Sequence, residues 1–317
     1  MLAEVVRSGF VESRHRVSLR IIGTDGAPQL AAGQGDVPMF PRSANKPMQA
    51  AGMLHCGLEL DGKLLALAAA SHSGEDFHVA GVREILAGAG LSEDDLQCPR
   101  ALPREEVFQQ DYLRQGGEPD RVHMNCSGKH AAMLATCVKA GWPTGSYTDP
   151  GHPLQVALRQ TVEDLAGEPS AAVGVDGCGA PVLALSLTGL ALAFQAMVTA
   201  PPGAPERRVA DAMRAHPEWT SGSLRPERAL MATVPGLLLK AGAEGVQAFA
   251  LADGRAGVFK IEDGSYRARE PLTVAMLRRL GVSTAPGVPD SALDEIGAAL
   301  VLGGSRPVGV VRATLPG

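Results

Sequence analysis

The chain has 317 residues, of which 45% are hydrophobic and 4% aromatic, and its formal net charge is −5 with no block of basic residues. This composition supports a sizeable aliphatic core and argues against a surface for nucleic acid or acidic membranes. No apolar run reaches 18 residues and the N-terminus lacks a secretion signal, so we expect no membrane partner. Five cysteines, an odd number, favour a reducing, cytoplasmic setting over a disulfide framework.

Strand patterns stand at both ends of the chain. Alternating apolar residues predict three strands near its beginning, over residues 2–9, 15–23 and 28–34. They predict three more near its end, over residues 246–252, 257–262 and 308–313, and the first two of these flank the hairpin turn Asp253-Gly254.

Helical patterns dominate the residues between. The apolar run 64–70 fits either a buried helix or a strand, and 182–197 is a long Ala/Leu segment. Helices are predicted over residues 44–56, 77–89, 126–139, 152–165, 206–215, 227–240, 270–281 and 290–302. This order predicts an α/β (α+β) fold in a single unit, with one antiparallel sheet from residues 1–42 and 246–317 beside a mainly helical part, 43–245.

The segment Arg42-Ser43-Ala44-Asn45-Lys46 opens the first predicted helix. Ser43 suits the helix N-cap, and residues three apart share a helix face, so the Lys46 amine could take the serine proton. A serine hydroxyl is a poor nucleophile until a base activates it. Alone, the pattern is better explained by a helix cap and a surface lysine.

Further polar loops interrupt apolar segments. The loop Ser71-His72-Ser73-Gly74-Glu75 offers a second nucleophile or a proton relay, or else a turn with a helix cap. Lys260 alternates with apolar residues on a predicted strand, which usually means a solvent-facing lysine. A strand lysine directed at a serine-bearing helix is also the arrangement of serine β-lactamases.

Two cysteines lie in similar loops. Cys126 stands just before a predicted helix, where a thiol pKa is lowered, and Cys178 lies between glycines in Asp176-Gly177-Cys178-Gly179. Two thiolates and one nitrogen would suit zinc and leave a position open. On general chemistry the nitrogen would come from His130 rather than Lys129, and the alternative is two buried thiols without a metal.

The loops around Ser43, Ser71, Cys126 and Cys178, in this order and spacing, resemble those of the Rhizobium etli-type (class 3) L-asparaginases over essentially the whole chain. The resemblance implies hydrolysis of L-asparagine to L-aspartate and ammonia through a serine–lysine acyl-enzyme, in a fold similar to serine β-lactamases and glutaminases. A glutaminase or another β-lactamase-like serine amidohydrolase is the nearest alternative, and a non-enzymatic zinc-binding protein is the alternative from another class. No lysine is followed by Thr-Gly or Ser-Gly, which argues against a penicillin-recognising enzyme.

The resemblance also assigns roles to individual residues. It implies two serine–lysine pairs, Ser43 with Lys46 and Ser71 with Lys260, and we favour Ser43 as the nucleophile. It implies one zinc ion per chain, not essential for the chemical step, and here it overrides the general preference for histidine. The expected ligands are Cys126, Lys129 and Cys178, and the expected substrate contacts are Arg42, His130 and Asp176. A homodimer is expected from the family alone.

Overall fold

The computed structural model of the protein describes residues 2–282 and 287–316. These residues form two compact units. The sheet unit is built from Met1–Ala44, Leu185–Thr199 and Ala229–Gly317, and the helical unit from Asn45–Ala184 and Ala200–Arg228.

The strands are β1 (Leu2–Arg7), β2 (Phe10–Ile22), β3 (Pro28–Ala32), β4 (Val173–Val175), β5 (Pro181–Leu183), β6 (Leu238–Gly242), β7 (Val246–Ala250), β8 (Ala256–Ile261), β9 (Ala299–Gly303) and β10 (Arg306–Thr314). The helices are α1 (Lys46–His55), α2 (Gly62–Ala68), α3 (Asp76–Gly88), α4 (Glu106–Arg114), α5 (Ser127–Ala140), α6 (Pro153–Ala166), α7 (Leu187–Thr199), α8 (Pro205–Ala215), α9 (Pro217–Thr220), α10 (Pro226–Thr233), α11 (Arg269–Arg279) and α12 (Asp290–Gly297). Short 3-10 turns span Arg42–Asn45 and Glu93–Asp95. None of the helices in the described part of the chain has the length and apolar character needed to cross a membrane.

The sheet unit contains an antiparallel sheet in the order β6-β7-β8-β2-β1-β10-β9, with β3 also paired to β2. The long strand β2 joins the two halves, because its first residues pair with β1 and its last with β8 and β3. One face is filled by a core that includes Leu19, Phe249, Phe259 and, from α11, Leu272. The predicted mixed fold, with an antiparallel sheet built from both chain ends, is confirmed.

Two predicted helices are wrong at their C-terminal ends. The helix predicted over 227–240 stops at Thr233, and 238–242 form strand β6. Gly236, with φ of +75°, turns the chain between them. Every residue of β6 is buried, so the strand shows no alternation and its leucines resemble a continuing helix.

The helix predicted over 290–302 stops at Gly297, and β9 follows at the edge of the sheet. Its alternation is only five residues long, with Val301 buried between exposed Leu300 and Leu302. In the 182–197 segment, strand β5 precedes α7, and the ambiguous run 64–70 lies largely in helix α2. Helix α7 and strand β6 both belong to the sheet unit.

The helical unit is organised around α1, in which every residue from Lys46 to Leu54 is buried. Helix α1 packs against α5, α6 and α8. Helix α5 begins against the end of α2, where a β-carbon on Gly128 would lie 2.5 Å from the Leu67 carbonyl oxygen. Only glycine permits this approach, which brings the residues before and inside α5 close to the loop that follows α2.

Candidate active site

The functional cluster of the helical unit begins with the buried amine of Lys46. Its side chain is only 1% exposed, and Nζ lies 3.0 Å from Ser71 Oγ and 3.0 Å from Cys126 Sγ. Nζ also donates a hydrogen bond to the Ala70 carbonyl oxygen. The carbonyl can only accept, whereas the serine and the thiol can each also donate. A neutral Lys46 could therefore receive the Ser71 hydroxyl proton.

The loop that carries Ser71 is fixed through its backbone. The Ser71 amide donates to the Thr220 carbonyl and the His72 amide to the Asn125 carbonyl, each at 3.0 Å. Both amides are thus occupied, and an oxyanion formed beside Ser71 would need other donors.

His72 determines the conformation of the same loop. Its Nδ1 accepts the Gly74 amide at 3.1 Å, so its Nε2 carries the proton that faces Ser127 Oγ at 2.9 Å. Ser127 in turn donates to the Val122 carbonyl. Burial lowers the pKa of His72 well below its ordinary value, so the ring stays neutral and keeps this tautomer. His72 thereby joins the Ser71 loop to the start of α5.

Ser73 has a different environment from Ser71. It is fully buried, and its hydroxyl donates to the Ser221 carbonyl at 3.0 Å. A β-carbon on Gly222 would lie 1.9 Å from Ser73 Oγ, so this glycine leaves room for the contact. Of the two serines in the loop, Ser71 is therefore the one whose hydroxyl faces Lys46.

Cys126, Lys129 and Cys178 are buried together in the helical unit. Lys129 Nζ lies 3.3 Å from Cys178 Sγ, and Cys126 donates a hydrogen bond to Cys178. This hydrogen bond, the Lys129 charge and His130 hold the pKa of the Cys178 thiol far below its ordinary value, against the effect of burial. The same hydrogen bond and burial raise the Cys126 pKa. Burial alone would lower the Lys129 pKa, but the neighbouring thiol groups outweigh burial and raise it. Without a metal, this cluster holds one thiolate, one thiol and one ammonium.

His130 directly follows Lys129 in α5 and is also fully buried. Its Nδ1 is 2.7 Å from the Tyr147 hydroxyl, which accepts the Gln97 amide and so has its proton free for the imidazole. His130 Nε2 is near Cys178 but lacks a hydrogen bond of normal geometry within the described part of the chain. Burial lowers the pKa of His130.

The donor chemistry of this cluster suits zinc, which binds thiolates and nitrogen. Among residues 2–282 and 287–316, however, no three His, Cys, Asp or Glu side chains are grouped to hold a metal. A metal held here therefore requires Lys129. Asp176 is half-buried, and its Oδ2 is 4.0 Å from Cys178 Sγ while its Oδ1 accepts the Gly177 amide.

Ser43 and Arg42 belong to the sheet unit and lie in the 3-10 turn before α1. Arg42 has φ of +52°, a conformation that non-glycine residues seldom adopt and that costs on the order of 1–3 kcal/mol. Strain of this kind is retained at sites where a side chain must be presented in one direction. The turn thus presents a partly exposed Ser43.

Lys260 also belongs to the sheet unit, on β8 opposite Ser18 of β2 and Val246 of β7. It is half-buried and donates to the Ile261 carbonyl at 2.5 Å. Burial lowers its pKa, although nearby carboxylates, led by Glu262, oppose the shift.

The sheet unit offers a second lysine that the sequence analysis missed. Lys240 on β6 is 4% exposed, and the strand register places it on the same sheet face as Lys260. A β-carbon on Gly242 would lie 2.3 Å from the Pro41 carbonyl oxygen, which puts the chain just before Ser43 against the end of β6. The sequence feature that could have identified Lys240 is the triplet Lys240-Ala241-Gly242, which differs from the Lys-Thr-Gly motif in its middle residue.

The profile of the family described as L-asparaginase II matches residues 3–313, nearly the whole chain. The chain belongs to the L-asparaginase II family. This is a family of amidohydrolases, in agreement with the predicted asparaginase resemblance. No curated protein matches the sequence.

Solved structures of low sequence identity share parts of the architecture. Mglu in its glutamate form is 17% identical, with a TM-score of 0.48, over 84% of this chain and 61% of the Mglu chain. The chain thus spans less than two thirds of the Mglu chain. A β-lactamase from Mycobacterium bovis is 12% identical, with a TM-score of 0.42, over 89% of this chain and 95% of that protein. Likenesses at these scores support no inference about the reaction.

Proposed function

We propose that this member of the L-asparaginase II family hydrolyses the side-chain amide of L-asparagine to L-aspartate and ammonia through a serine acyl-enzyme. The observation that carries the proposal is the buried contact of 3.0 Å between Lys46 Nζ and Ser71 Oγ. In general, a deprotonated lysine amine in a desolvated site can act as the base for a serine nucleophile.

The contact supports Ser71 as the hydroxyl that Lys46 deprotonates, a pairing that differs from the one favoured by the sequence. In this scheme Ser71 Oγ attacks the amide carbon and Lys46 takes its proton. Lys46 returns the proton to the leaving nitrogen, and ammonia departs. Water then attacks the β-aspartyl ester, giving its proton to Lys46, which passes it back to the Ser71 oxygen.

Ser43 is the second serine of the proposal and the rival nucleophile. Its support is the family resemblance and the left-handed conformation of the preceding Arg42. The second lysine is Lys260 in the sequence prediction, while burial and the Pro41 contact support Lys240. Arg42, His130 and Asp176 remain proposed contacts for the charged α-groups of the substrate.

Zinc would be held by Cys126, Lys129 and Cys178, where it would supply a positive charge that orients the substrate's carboxylate. Binding would displace the protons of Cys126 and Lys129, since both pKa values are raised. A homodimer remains an expectation from the resemblance, and a cytoplasmic location remains one from the odd number of cysteines.

The test is ammonia release from L-asparagine, with L-glutamine as the comparison substrate. We expect a higher kcat/KM for asparagine, and equal values would favour a general amidohydrolase or a glutaminase instead. A purified protein that holds zinc but releases no ammonia from either amide would favour the non-enzymatic alternative.

Two serine variants then identify the nucleophile. Rapid acid quench followed by intact mass spectrometry should show an aspartyl adduct on the wild type and on Ser43→Ala. Ser71→Ala should show none and should lose about 10³-fold or more in kcat while remaining folded. An adduct on Ser71→Ala but not on Ser43→Ala would reverse the two roles.

A further inference from the structure

A cavity of about 320 Å³ lies within the helical unit, apart from the Lys46 cluster. Its wall is formed by the start of α3, by one face of α4 and by residues Pro103 and His123. None of the Lys46, Ser71, Cys126, Lys129 and Cys178 side chains lines it. The cavity is therefore distinct from the catalytic cluster, although Gly74 and Glu75 of the Ser71 loop form part of its wall.

The wall of this cavity combines aromatic rings with negative charge. The rings are those of Phe77, Phe108 and Tyr112, and the carboxylates are those of Glu75, Asp76 and Asp111. Two of the carboxylates already have partners, since Glu75 accepts hydrogen bonds from Ser223 and Asp111 forms an exposed ion pair with Arg114. Aromatic faces attract cations, most strongly where water is partly excluded. Carboxylates supply acceptors only, so a ligand here has to bring hydrogen-bond donors.

His123 adds a buried acceptor to the same wall. The residue is 7% exposed, and its Nδ1 lies 2.7 Å and 2.8 Å from the two oxygens of Asp120. In the neutral form of the ring, Nδ1 carries the proton, because a carboxylate only accepts, and Nε2 then has the lone pair. Tyr112 fixes the arrangement, since its hydroxyl donates to Asp120 at 2.9 Å and its ring contacts His123 at a tilt of 42°, with centroids 4.2 Å apart.

The Nε2 atom of His123 has no hydrogen-bond partner in the parts of the chain that the structure describes. Unlike Nε2 of His130, this atom also keeps some exposed surface. Since His123 lines the cavity, this lone pair is open to it. A histidine oriented by a carboxylate, nine-tenths buried and with an unused acceptor directed into a cavity, is a built position for a donor group.

We propose that this cavity binds a small organic cation, a protonated amine attached to one flat apolar ring. The ammonium group would donate to His123 Nε2 and to the carboxylates, and the ring would lie against Phe77, Phe108 and Tyr112. A volume of about 320 Å³ is at the lower end for ligand sites and accommodates one ring with a short chain.

Three probes of similar size and different charge test the proposal on the full chain: tyramine, 4-ethylphenol and 4-hydroxyphenylacetate. Titration calorimetry should give tyramine a Kd of about 1 mM or below, with at least tenfold weaker binding of the neutral and anionic probes. Equal affinity for the three probes, or no tyramine binding at about 10 mM, would overturn the proposal.

Surface variants locate the bound amine. The double variant Asp76→Asn with Asp111→Asn should weaken tyramine at least fivefold, and Phe108→Leu, which keeps the bulk but removes the ring, should weaken it several-fold. Glu84→Gln removes an exposed carboxylate of α3 that lines another cavity, so it should keep the wild-type affinity. Unchanged affinity in both test variants, or an equal loss in Glu84→Gln, would place tyramine elsewhere.

Discussion

Acid sensitivity of the helical unit should come in part from His78. This imidazole is fully buried, its Nδ1 accepts the Glu75 amide and its Nε2 donates to the Glu218 carbonyl. Burial lowers its pKa from 6.5 to about 4, although the bond to Glu218 opposes the shift. The folded protein therefore holds His78 neutral at a pH where the unfolded chain would protonate it.

The sign and size follow from linkage between protonation and folding. Below pH 6.5 His78 becomes protonated in the unfolded state, whereas in the folded state it stays neutral until about pH 4. The free energy of unfolding therefore falls as the pH falls through this window. The loss from His78 alone is about 2 kcal/mol between pH 7 and pH 5 and about 3 kcal/mol by pH 4. Neutral His72, whose pKa is also lowered, adds to the loss in the same direction.

Urea unfolding of the wild type and of His78→Gln, at pH 7 and pH 5, measures this term. The variant should be less stable at pH 7, but its stability should fall by about 2 kcal/mol less than that of the wild type on going to pH 5. Phe77→Leu is the matched control, because it disturbs the ring contact with His78 yet keeps the titrating group. An identical pH dependence in wild type and His78→Gln would refute the reasoning.

Four further predictions concern the site and the helix packing beside it. Lys240→Met should lower kcat by about 10²-fold or more and Lys260→Met by less than tenfold, and the reverse order in steady-state ammonia release would restore Lys260 as the second lysine. Zinc binding should release about two protons at pH 7, seen by calorimetry in buffers of different ionisation enthalpy. Metal analysis should show weak binding in Cys178→Ser and normal binding in Cys137→Ser, whose native thiol has a pKa raised by burial to about 11. Gly128→Ala should cost about 1–3 kcal/mol of unfolding free energy by overpacking against the Leu67 carbonyl, and a neutral effect in urea unfolding would contradict that contact.

The sequence by itself determined the strand-rich ends, most of the helices and the segments that carry reactive side chains. Those features are local. Neighbouring residues determine both the alternation in β2 and the glycine-flanked loop at Cys178. The predicted ends of two helices were wrong, because tertiary contacts there override the local sequence pattern. Strand β6 is buried on both faces and so resembles a helix, while β9 is defined only by its pairing with β10.

Only the tertiary structure decided which side chains meet. A helical spacing of three residues predicts Ser43 as the partner of Lys46, whereas no local pattern signals the contact of the amine with Ser71, which lies 3.0 Å away and 25 positions along the chain. The burial of Lys240 and the unused acceptor of His123 are likewise absent from any local pattern. A residue's type and spacing fix what chemistry it can perform, but burial, charge and partners are set by segments distant in sequence, and these determine its protonation state.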